Sequence, residues 1–235
     1  MGIAWRLAVA LNTQDAAGAL VPADGTGRPT VVAGADLAVL TAVGRQVHAD
    51  GPMIAIGPVG AEDLARSGGP AAVEGFAAAV PADGGWDAAA AQVVSGWGAP
   101  RVLITCPSPV PRGRLADSGP GDWQAALDPN LGTAAAACRA FVPVMRGHGP
   151  AAIIMLAWQP SGEPGQVHLA AASGAIQLLA LALAADFGGD GITVNAVTVG
   201  EHNLPAIGPV LELLLLADAG YVTAEVLRAG TGWPA

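Results

Sequence analysis

Residues 178–200 read LLALALAADFGGDGITVNAVTVG, an apolar helix-like run that ends at glycines and is followed by a strand-like run. Glycines at 188, 189 and 191 are typical of a helix C-terminus, because glycine adopts left-handed backbone conformations at little cost. The run ITVNAV at 192–197 is rich in β-branched residues, which are enriched in strands. A helix that leads directly into a buried strand indicates one unit of an α/β fold.

The same alternation extends in both directions from this stretch. Strands are predicted at 7–11, 30–33, 53–56, 101–106, 153–157, 192–197 and 225–228, and helices at 36–47, 86–97, 122–146, 167–187 and 209–217. Strands that alternate with helices predict a parallel sheet with helices on both faces, so we expect a Rossmann-like, doubly wound α/β fold. One domain over 1–235 accounts for the length. The Gly- and Ala-rich stretch 61–80 is assigned to no element, and 107–121 is predicted to be a loop.

The composition excludes several classes of protein. Charged residues make up only 12% of the chain and hydrophobic residues 52%. This charged share is about half of the usual one, so part of the apolar surface is expected to be buried against another subunit. A net charge of −9 with no basic cluster argues against nucleic acid as a partner. Two cysteines provide neither a disulfide framework nor metal-ligand spacing.

Membrane association is not expected either. No apolar run is judged long enough for a membrane span, and the start of the chain lacks the pattern of a signal peptide. A cytoplasmic location is therefore predicted. The predicted helix 167–187 is apolar almost all round. We therefore expect one side to pack on the sheet and the other side to be covered by a second subunit.

Four segments in order resemble the short-chain dehydrogenase/reductase superfamily, namely 86–106, 122–145, 178–200 and 210–232. Asn130 falls on the conserved helix Asn of that superfamily. The resemblance implies a Rossmann fold, NAD or NADP as cofactor, and dimers or tetramers. It further implies that subunits associate through helices 122–146 and 167–187 and through the C-terminal segment.

The catalytic positions implied by the resemblance hold other residues here. The superfamily uses a Tyr-x-x-x-Lys motif, whose two positions become Leu169 and Ser173, and a Ser at the end of the preceding strand, whose position becomes Ala157. Leu169 cannot transfer a proton, and Ser173 carries no charge that would lower a neighbouring pKa. No shift of alignment restores the pair, because the chain has no Lys and its single Tyr is Tyr221. Only Asn130 is retained, and it is interpreted as stabilising a helix kink.

Two residues outside these positions are kept as weaker candidates. His168 precedes the aligned Tyr position and, as an imidazole, could exchange a proton near neutral pH. Its alternative role is that of a capping or interface residue. Ser161 lies just beyond the aligned Ser position. Trp123 and Trp158 are interpreted as interface anchors or as core residues, without a decision between the two.

The nucleotide loop is expected after the first predicted strand, 7–11. The superfamily places Thr-Gly-x-x-x-Gly-x-Gly there, so that the cofactor pyrophosphate can approach a helix N-terminus. Here the corresponding residues include Asn12, Thr13, Asp15 and Gly18, and Asp15 would place a negative charge beside the phosphates. No cofactor is therefore expected in this subunit, and NAD or NADP is expected in an active partner. The N-terminal nucleotide half is expected to be remodelled.

Three functions remain open from the sequence. The first is a non-catalytic subunit of a hetero-oligomer with an active ketoreductase or dehydrogenase of the same fold, acting on a keto or hydroxy group, or on an acyl thioester. The second is an oxidoreductase with an atypical active site. The third is a homomeric scaffold that holds a small apolar molecule in a cleft near Asn130, Trp158 and Glu201.

Overall fold

The computed structural model describes residues 27–47, 53–57, 76–79, 85–216 and 219–230. The described strands form one parallel sheet in the order β3-β2-β1-β4-β5-β6-β7. They are β1 Thr30–Ala33, β2 Met53–Gly57, β3 Phe76–Ala79, β4 Val102–Thr105, β5 Ala151–Trp158, β6 Ile192–Val199 and β7 Val226–Ala229. This order reverses direction between β1 and β4, as in a doubly wound sheet, and confirms the predicted fold class.

Helices cover both faces of the sheet. They are α1 Leu37–Gly44, α2 Trp86–Trp97, α3 Pro120–Leu127, α4 Thr133–Met145, α5 Val167–Phe187 and α6 Gly208–Leu215. Strand β5 shows how the two layers arise, because alternate side chains of a strand point to opposite faces. Ile153 and Met155 pack in one apolar core with α2, α4 and α5. Ile154 and Leu156 pack in a second core with α1 and α6.

The first strand of the sheet differs from the prediction. Strand β1, Thr30–Ala33, pairs with both β2 and β4, with Ala33 opposite Thr105. That central place belongs to the first strand of a doubly wound sheet, whereas the sequence pattern predicts 30–33 to be the second strand. The stretch 7–11, predicted to be the first strand, lies outside the described residues.

Strand β3 is missed by the sequence analysis. Phe76–Ala79 lies in the stretch 61–80, which is assigned to no element there, and pairs in parallel with β2. Its sequence FAAA contains no β-branched residue. The strand is therefore defined by its long-range pairing rather than by local preference.

The predicted helix 122–146 is divided into two helices by a wider turn. Helices α3 and α4 are joined by a π-helical segment, Asp128–Gly132, which contains Pro129 and Asn130. Proline lacks the N–H that a regular α-helix needs, so the irregularity at Pro129 is expected. Pro143, the other predicted interruption, lies inside α4.

Helix α5 has the bounds that the sequence predicts, Val167–Phe187. By length and composition the segment Val167–Asp190 would also qualify as a membrane span, so the expectation that no apolar run is long enough was wrong. The helix packs along β5 and β6, and 39% of its most apolar 18-residue window is buried. Burial of one face against the sheet accounts for part of the apolar composition, and the outer face remains exposed.

Candidate active site at the carboxyl edge of the sheet

The four residues that the resemblance assigned to the catalytic positions lie together in the structure. The end of β5, the first half of α5 and the π turn line a narrow crevice with no room for a water molecule. Its lining residues are Val110, Asn130, Ala157, Trp158, Leu169, Ala172, Ser173 and Ile176. Asn130, Ala157, Leu169 and Ser173 are among them, so the structure brings the four residues together.

The lining of the crevice contains no ionisable side chain. Leu169 is buried, and Ala157 offers only a methyl group. The Ser173 hydroxyl accepts a hydrogen bond from Gln177 Nε2 at 3.0 Å, one turn further along α5. General acid–base chemistry needs a group that exchanges a proton within hydrogen-bond reach of the substrate, and this lining offers none.

Asn130 is fully engaged in holding the backbone. Its Oδ1 accepts from the Ser108 N–H at 2.8 Å, and its Nδ2 donates to the Ala126 carbonyl at 2.9 Å. The Ala126 carbonyl would be left without its usual helical partner at the π turn, so the amide satisfies a group that the irregularity frees. The Trp158 indole Nε1 donates to the Ser108 carbonyl at 2.9 Å. Together these bonds fix the start of the β4–α3 loop to the π turn and to the end of β5.

His168 is buried beside the crevice rather than in its lining. Its ring meets the edge of Trp123 with centroids 4.7 Å apart. No described residue bonds either ring nitrogen. A Cβ placed on Gly113 would lie 3.4 Å from His168 Cε1, so the β4–α3 loop covers the imidazole.

The remaining hydroxyl candidates lie away from the crevice lining. The Ser161 backbone N–H donates to Gln166 Oε1 at 2.8 Å, and its Oγ accepts from Gln166 Nε2 at 2.9 Å. Ser161 therefore supports an exposed turn before α5. Tyr221 lies in the 3₁₀ turn Ala219–Tyr221 with 96% of its surface exposed.

The loop at the nucleotide end of the sheet follows β1 and is formed by residues 34–36, which lead into α1. Asn12, Thr13, Asp15 and Gly18, which the sequence analysis assigns to the nucleotide loop, lie outside the described residues. After Ala33, the spacing Thr-Gly-x-x-x-Gly-x-Gly becomes Ala-Gly-x-x-x-Ala-x-Leu, which keeps Gly34 and replaces the other two glycines by Ala38 and Leu40.

The side chains of this loop do not fit a dinucleotide. A Cβ on Gly34 would lie 2.8 Å from Cys106 Cβ and 3.3 Å from Leu40 Cδ2, so the surface that glycine exposes is already covered by side chains. Leu40 is only 3% exposed. In a Rossmann turn the first glycine serves the tight turn and a later glycine lets the backbone approach the pyrophosphate. Here the two later glycine positions are Ala38 and Leu40, and Leu40 belongs to the apolar core on the α1 side of the sheet.

Asp36 adds an electrostatic obstacle at the same place. Its Oδ1 accepts from the Val39 N–H at 2.9 Å, which makes it the N-cap of α1. The N–H groups and the positive end of the helix dipole would otherwise be available to a phosphate. The pKa of the Cys106 thiol is raised far above its usual range, mainly because the thiol is buried and to a smaller extent because the Asp36 carboxylate is nearby. The carboxylate is thus close enough to influence the end of β4.

Sequence reasoning missed both Asp36 and Leu40. The N-cap was nevertheless recognisable, because an Asp directly before an apolar helical run is a helix start signal. The sequence pattern starts the helix at 36 but assigns the preceding strand to second place. The error therefore came from the order of the strands rather than from the residues of the loop.

Glu201 lies outside the crevice near Asn130 and Trp158 in which the sequence analysis places it. Its Oε2 accepts from Arg112 Nη2 at 2.8 Å, across the mouth of the crevice. Arg112 Nη1 lies 3.6 Å from Glu163 Oε2. The predicted small-molecule cleft thus brings together Asn130 and Trp158 but not Glu201.

Parts of the chain match known proteins in sequence. Residues 41–210 match the family model described as enoyl-(acyl carrier protein) reductase. The short-chain reductase protein NovJ of Streptomyces niveus is 35% identical over 129 residues, which cover 54% of this chain and 49% of NovJ. The matched stretch spans about half the length of the curated relatives.

Solved structures show the same fold at low identity. A gluconate 5-dehydrogenase from Burkholderia cenocepacia, in complex with NADP and tartrate, superposes with a TM-score of 0.74 at 20% identity, covering 88% of this chain and 94% of its own. A short chain oxidoreductase from Pseudomonas aeruginosa, bound to NADPH and containing an atypical catalytic center, gives a TM-score of 0.74 at 17% identity, covering 91% and 100%.

Proposed function

This chain belongs to the short-chain dehydrogenase/reductase superfamily, and we propose that it is a non-catalytic member that works as a subunit of a hetero-oligomer. Its partner would be an active member of the same superfamily that carries the Tyr-x-x-x-Lys motif and the Gly-rich turn. The reaction of the complex would be NAD- or NADP-dependent oxidation or reduction of a hydroxy or keto group, with an acyl thioester as one candidate substrate. We place the complex in the cytoplasm.

The observation that carries the proposal is the closed, uncharged crevice. Proton transfer to a substrate oxygen requires space for that oxygen and a titratable group beside it. The crevice holds neither, because Leu169 and Ala157 fill it and Ser173 is bonded to Gln177. The chain offers no Lys from which such a group could be assembled.

The nucleotide end supports the same conclusion. Leu40 occupies the surface over Gly34, and the Asp36 carboxylate accepts the hydrogen bond of an N–H at the start of α1. A dinucleotide would have to displace a buried leucine and bring its phosphates against a carboxylate. We infer that the chain binds neither NAD nor NADP and that the partner supplies the cofactor.

The outer face of α5 supports a subunit role. No charged residue occurs between 167 and 185. On that helix Leu178 is 68% exposed and Leu181 38% exposed. A Cβ placed on Gly174, in the same face, would meet no atom within 4 Å, so a partner helix would find open space there. An apolar face of this length is typical of a surface that a second subunit covers.

We infer that the partner docks on this face through α5 and the α3–α4 helix pair, with a second contact at the C-terminal segment. Tyr221 and Leu216, 96% and 60% exposed, give that segment its own apolar surface. The alternative of a homomeric small-molecule scaffold is less favoured, because its cleft near Asn130 has no room for a ligand. The alternative of an atypical oxidoreductase would have to use His168, which the β4–α3 loop covers.

Co-expression with an intact superfamily member from a neighbouring gene tests the proposal. We expect the two chains to co-elute with a defined stoichiometry, and the complex to oxidise or reduce its substrate while this chain alone does not. Inactivation of the partner by replacing its motif Tyr with Phe should abolish all turnover. Stable purification of this chain alone, without binding of that paralogue, would reject the hetero-oligomer. Turnover by the isolated chain would instead support the atypical oxidoreductase.

A further inference from the structure

The loop between β4 and α3, residues 107–119, lies over the crevice and is joined to both neighbouring loops. Val110 of this loop lines the crevice. The Gly113 N–H donates to the Gly165 carbonyl at 2.8 Å in the β5–α5 loop, and Gly113 forms a parallel bridge with Gln166. The 107–119 loop is therefore attached to the start of α5 by backbone contacts at one point.

Arg112, the residue before that point, connects three loops at once. It belongs to the β4–α3 loop, it bonds Glu201 in the β6–α6 loop at 2.8 Å, and it lies 3.6 Å from Glu163 in the β5–α5 loop. In a doubly wound sheet these are the loops that surround the ligand crevice. One guanidinium thus bridges the rim of the crevice.

The groups beneath the loop are apolar or lack polar partners. His168 lies under Gly113, and no described residue bonds its ring nitrogens. Opening of the loop would give the imidazole access to water, which would satisfy its ring nitrogens. The closed state is thus opposed by an unsatisfied buried group and depends on the contacts at the rim.

We propose that the 107–119 loop is a lid held closed over the crevice by the Arg112 ion pairs, and that its opening is sensitive to salt. The side chain of Arg112 is 53% exposed, and those of Glu163 and Glu201 are 69% and 27% exposed. Coulomb interactions at such exposure are screened over about 3 Å at 1 M salt and over about 30 Å at 0.01 M. The lid therefore closes at low ionic strength and opens more often at high ionic strength.

Hydrogen exchange of the Gly113 amide measures the opening directly, because that N–H is bonded only when the loop is closed. At low salt, Arg112→Ala should speed exchange of this amide by about two- to five-fold over the wild-type chain, the range that exposed ion pairs contribute. At 1 M NaCl the wild-type rate should approach that of Arg112→Ala. The matched control is Arg114→Ala, an exposed arginine two residues away in the same loop.

The paired variant Glu201→Ala separates the ion pair from other effects of losing a side chain. If Glu201 acts on the lid only through Arg112, the double variant should exchange at nearly the rate of Arg112→Ala alone, and Glu201→Ala alone should exchange no faster than Arg112→Ala. Additive effects, an Arg112→Ala effect that persists unchanged at 1 M NaCl, or an equal effect of Arg114→Ala would each overturn the proposal. These readouts need no partner and no turnover, so they stand apart from the test of the hetero-oligomer.

Discussion

The crevice at the carboxyl edge and the outer face of α5 are built on the same helix and have opposite properties. On the inner side Leu169 and Ser173 line a crevice that is too narrow to admit a water molecule. On the outer side Leu178 is 68% exposed. The inner side of α5 is closed with apolar side chains, and the outer side is apolar and open. This contrast is what the proposed subunit role predicts.

The nucleotide end extends the closed region, and Leu40→Ala tests how firmly it is closed. Removal of a buried leucine side chain costs its transfer free energy and leaves a cavity, so the free energy of unfolding should fall by about 3 kcal/mol. Denaturant unfolding of the isolated chain measures the loss. The control is Leu213→Ala, where the leucine is 48% exposed and the expected change is below about 0.5 kcal/mol. Equal small losses at both positions would contradict a packed nucleotide end.

Asn130→Ala tests whether the retained Asn is structural. The change leaves the Ser108 N–H and the Ala126 carbonyl buried without partners, so we expect a loss of about 2 to 3 kcal/mol in the free energy of unfolding. Asn130→Asp keeps an acceptor for the Ser108 N–H but sets a buried carboxylate oxygen against the Ala126 carbonyl, and should cost at least as much. The kcat of a reconstituted complex should not change in either variant once the folded fraction is equal. A fall in kcat without a fall in stability would assign Asn130 a catalytic role.

Leu178→Glu tests the open face. The new carboxylate would be buried at the subunit contact without a partner of opposite charge. We therefore expect the affinity for the partner to weaken by about 30-fold, equivalent to about 2 kcal/mol. Sedimentation analysis of the complex measures the dissociation constant. Leu115→Glu provides the matched control, because Leu115 is similarly exposed at 65% but lies in the β4–α3 loop. An unchanged dissociation constant for Leu178→Glu would show that the subunit contact lies on another surface.

Alkaline pH should weaken the fold through its two buried thiols. Burial raises the pKa of the Cys138 thiol to about 12 and that of Cys106 further still. The thiols of the unfolded chain ionise at about pH 8.5 while the folded chain keeps both protons, so the unfolded state is favoured as pH rises above that value. Each thiol should lower the free energy of unfolding by about 1.4 kcal/mol per pH unit between about pH 9 and 11. Urea unfolding at several pH values measures the slope, and Cys138→Ala should remove about half of it. Equal slopes for the wild-type chain and Cys138→Ala would contradict the burial of Cys138.

The sequence predicted best those elements whose pattern is local. Helix α5 has the predicted bounds, because its apolar run is continuous and glycines follow it. The crevice was located by the resemblance, since Leu169 and Ser173 lie on that helix at one-turn spacing. Asn130 was expected at a helix kink, although its partners Ser108 and Ala126 depend on tertiary packing that no local pattern specifies.

The first strand was predicted wrongly for a physical reason. The sequence LAVAL at 7–11 is at least as apolar as TVVA at 30–33, so local preference cannot rank the two. What makes Thr30–Ala33 the first strand is its pairing with β4, where Ala33 lies opposite Thr105. Long-range pairing of this kind is not encoded in a window of neighbouring residues. Because 30–33 was predicted to be the second strand, Gly34, Asp36 and Leu40 were not considered for the nucleotide loop.

Titration of the isolated chain with NADPH and NADH by calorimetry tests most directly whether the carboxyl edge is closed. With Leu40 over Gly34 and Asp36 at the start of α1, we expect no saturable binding up to millimolar nucleotide. Saturable binding of one nucleotide per chain with a micromolar dissociation constant would contradict a closed edge.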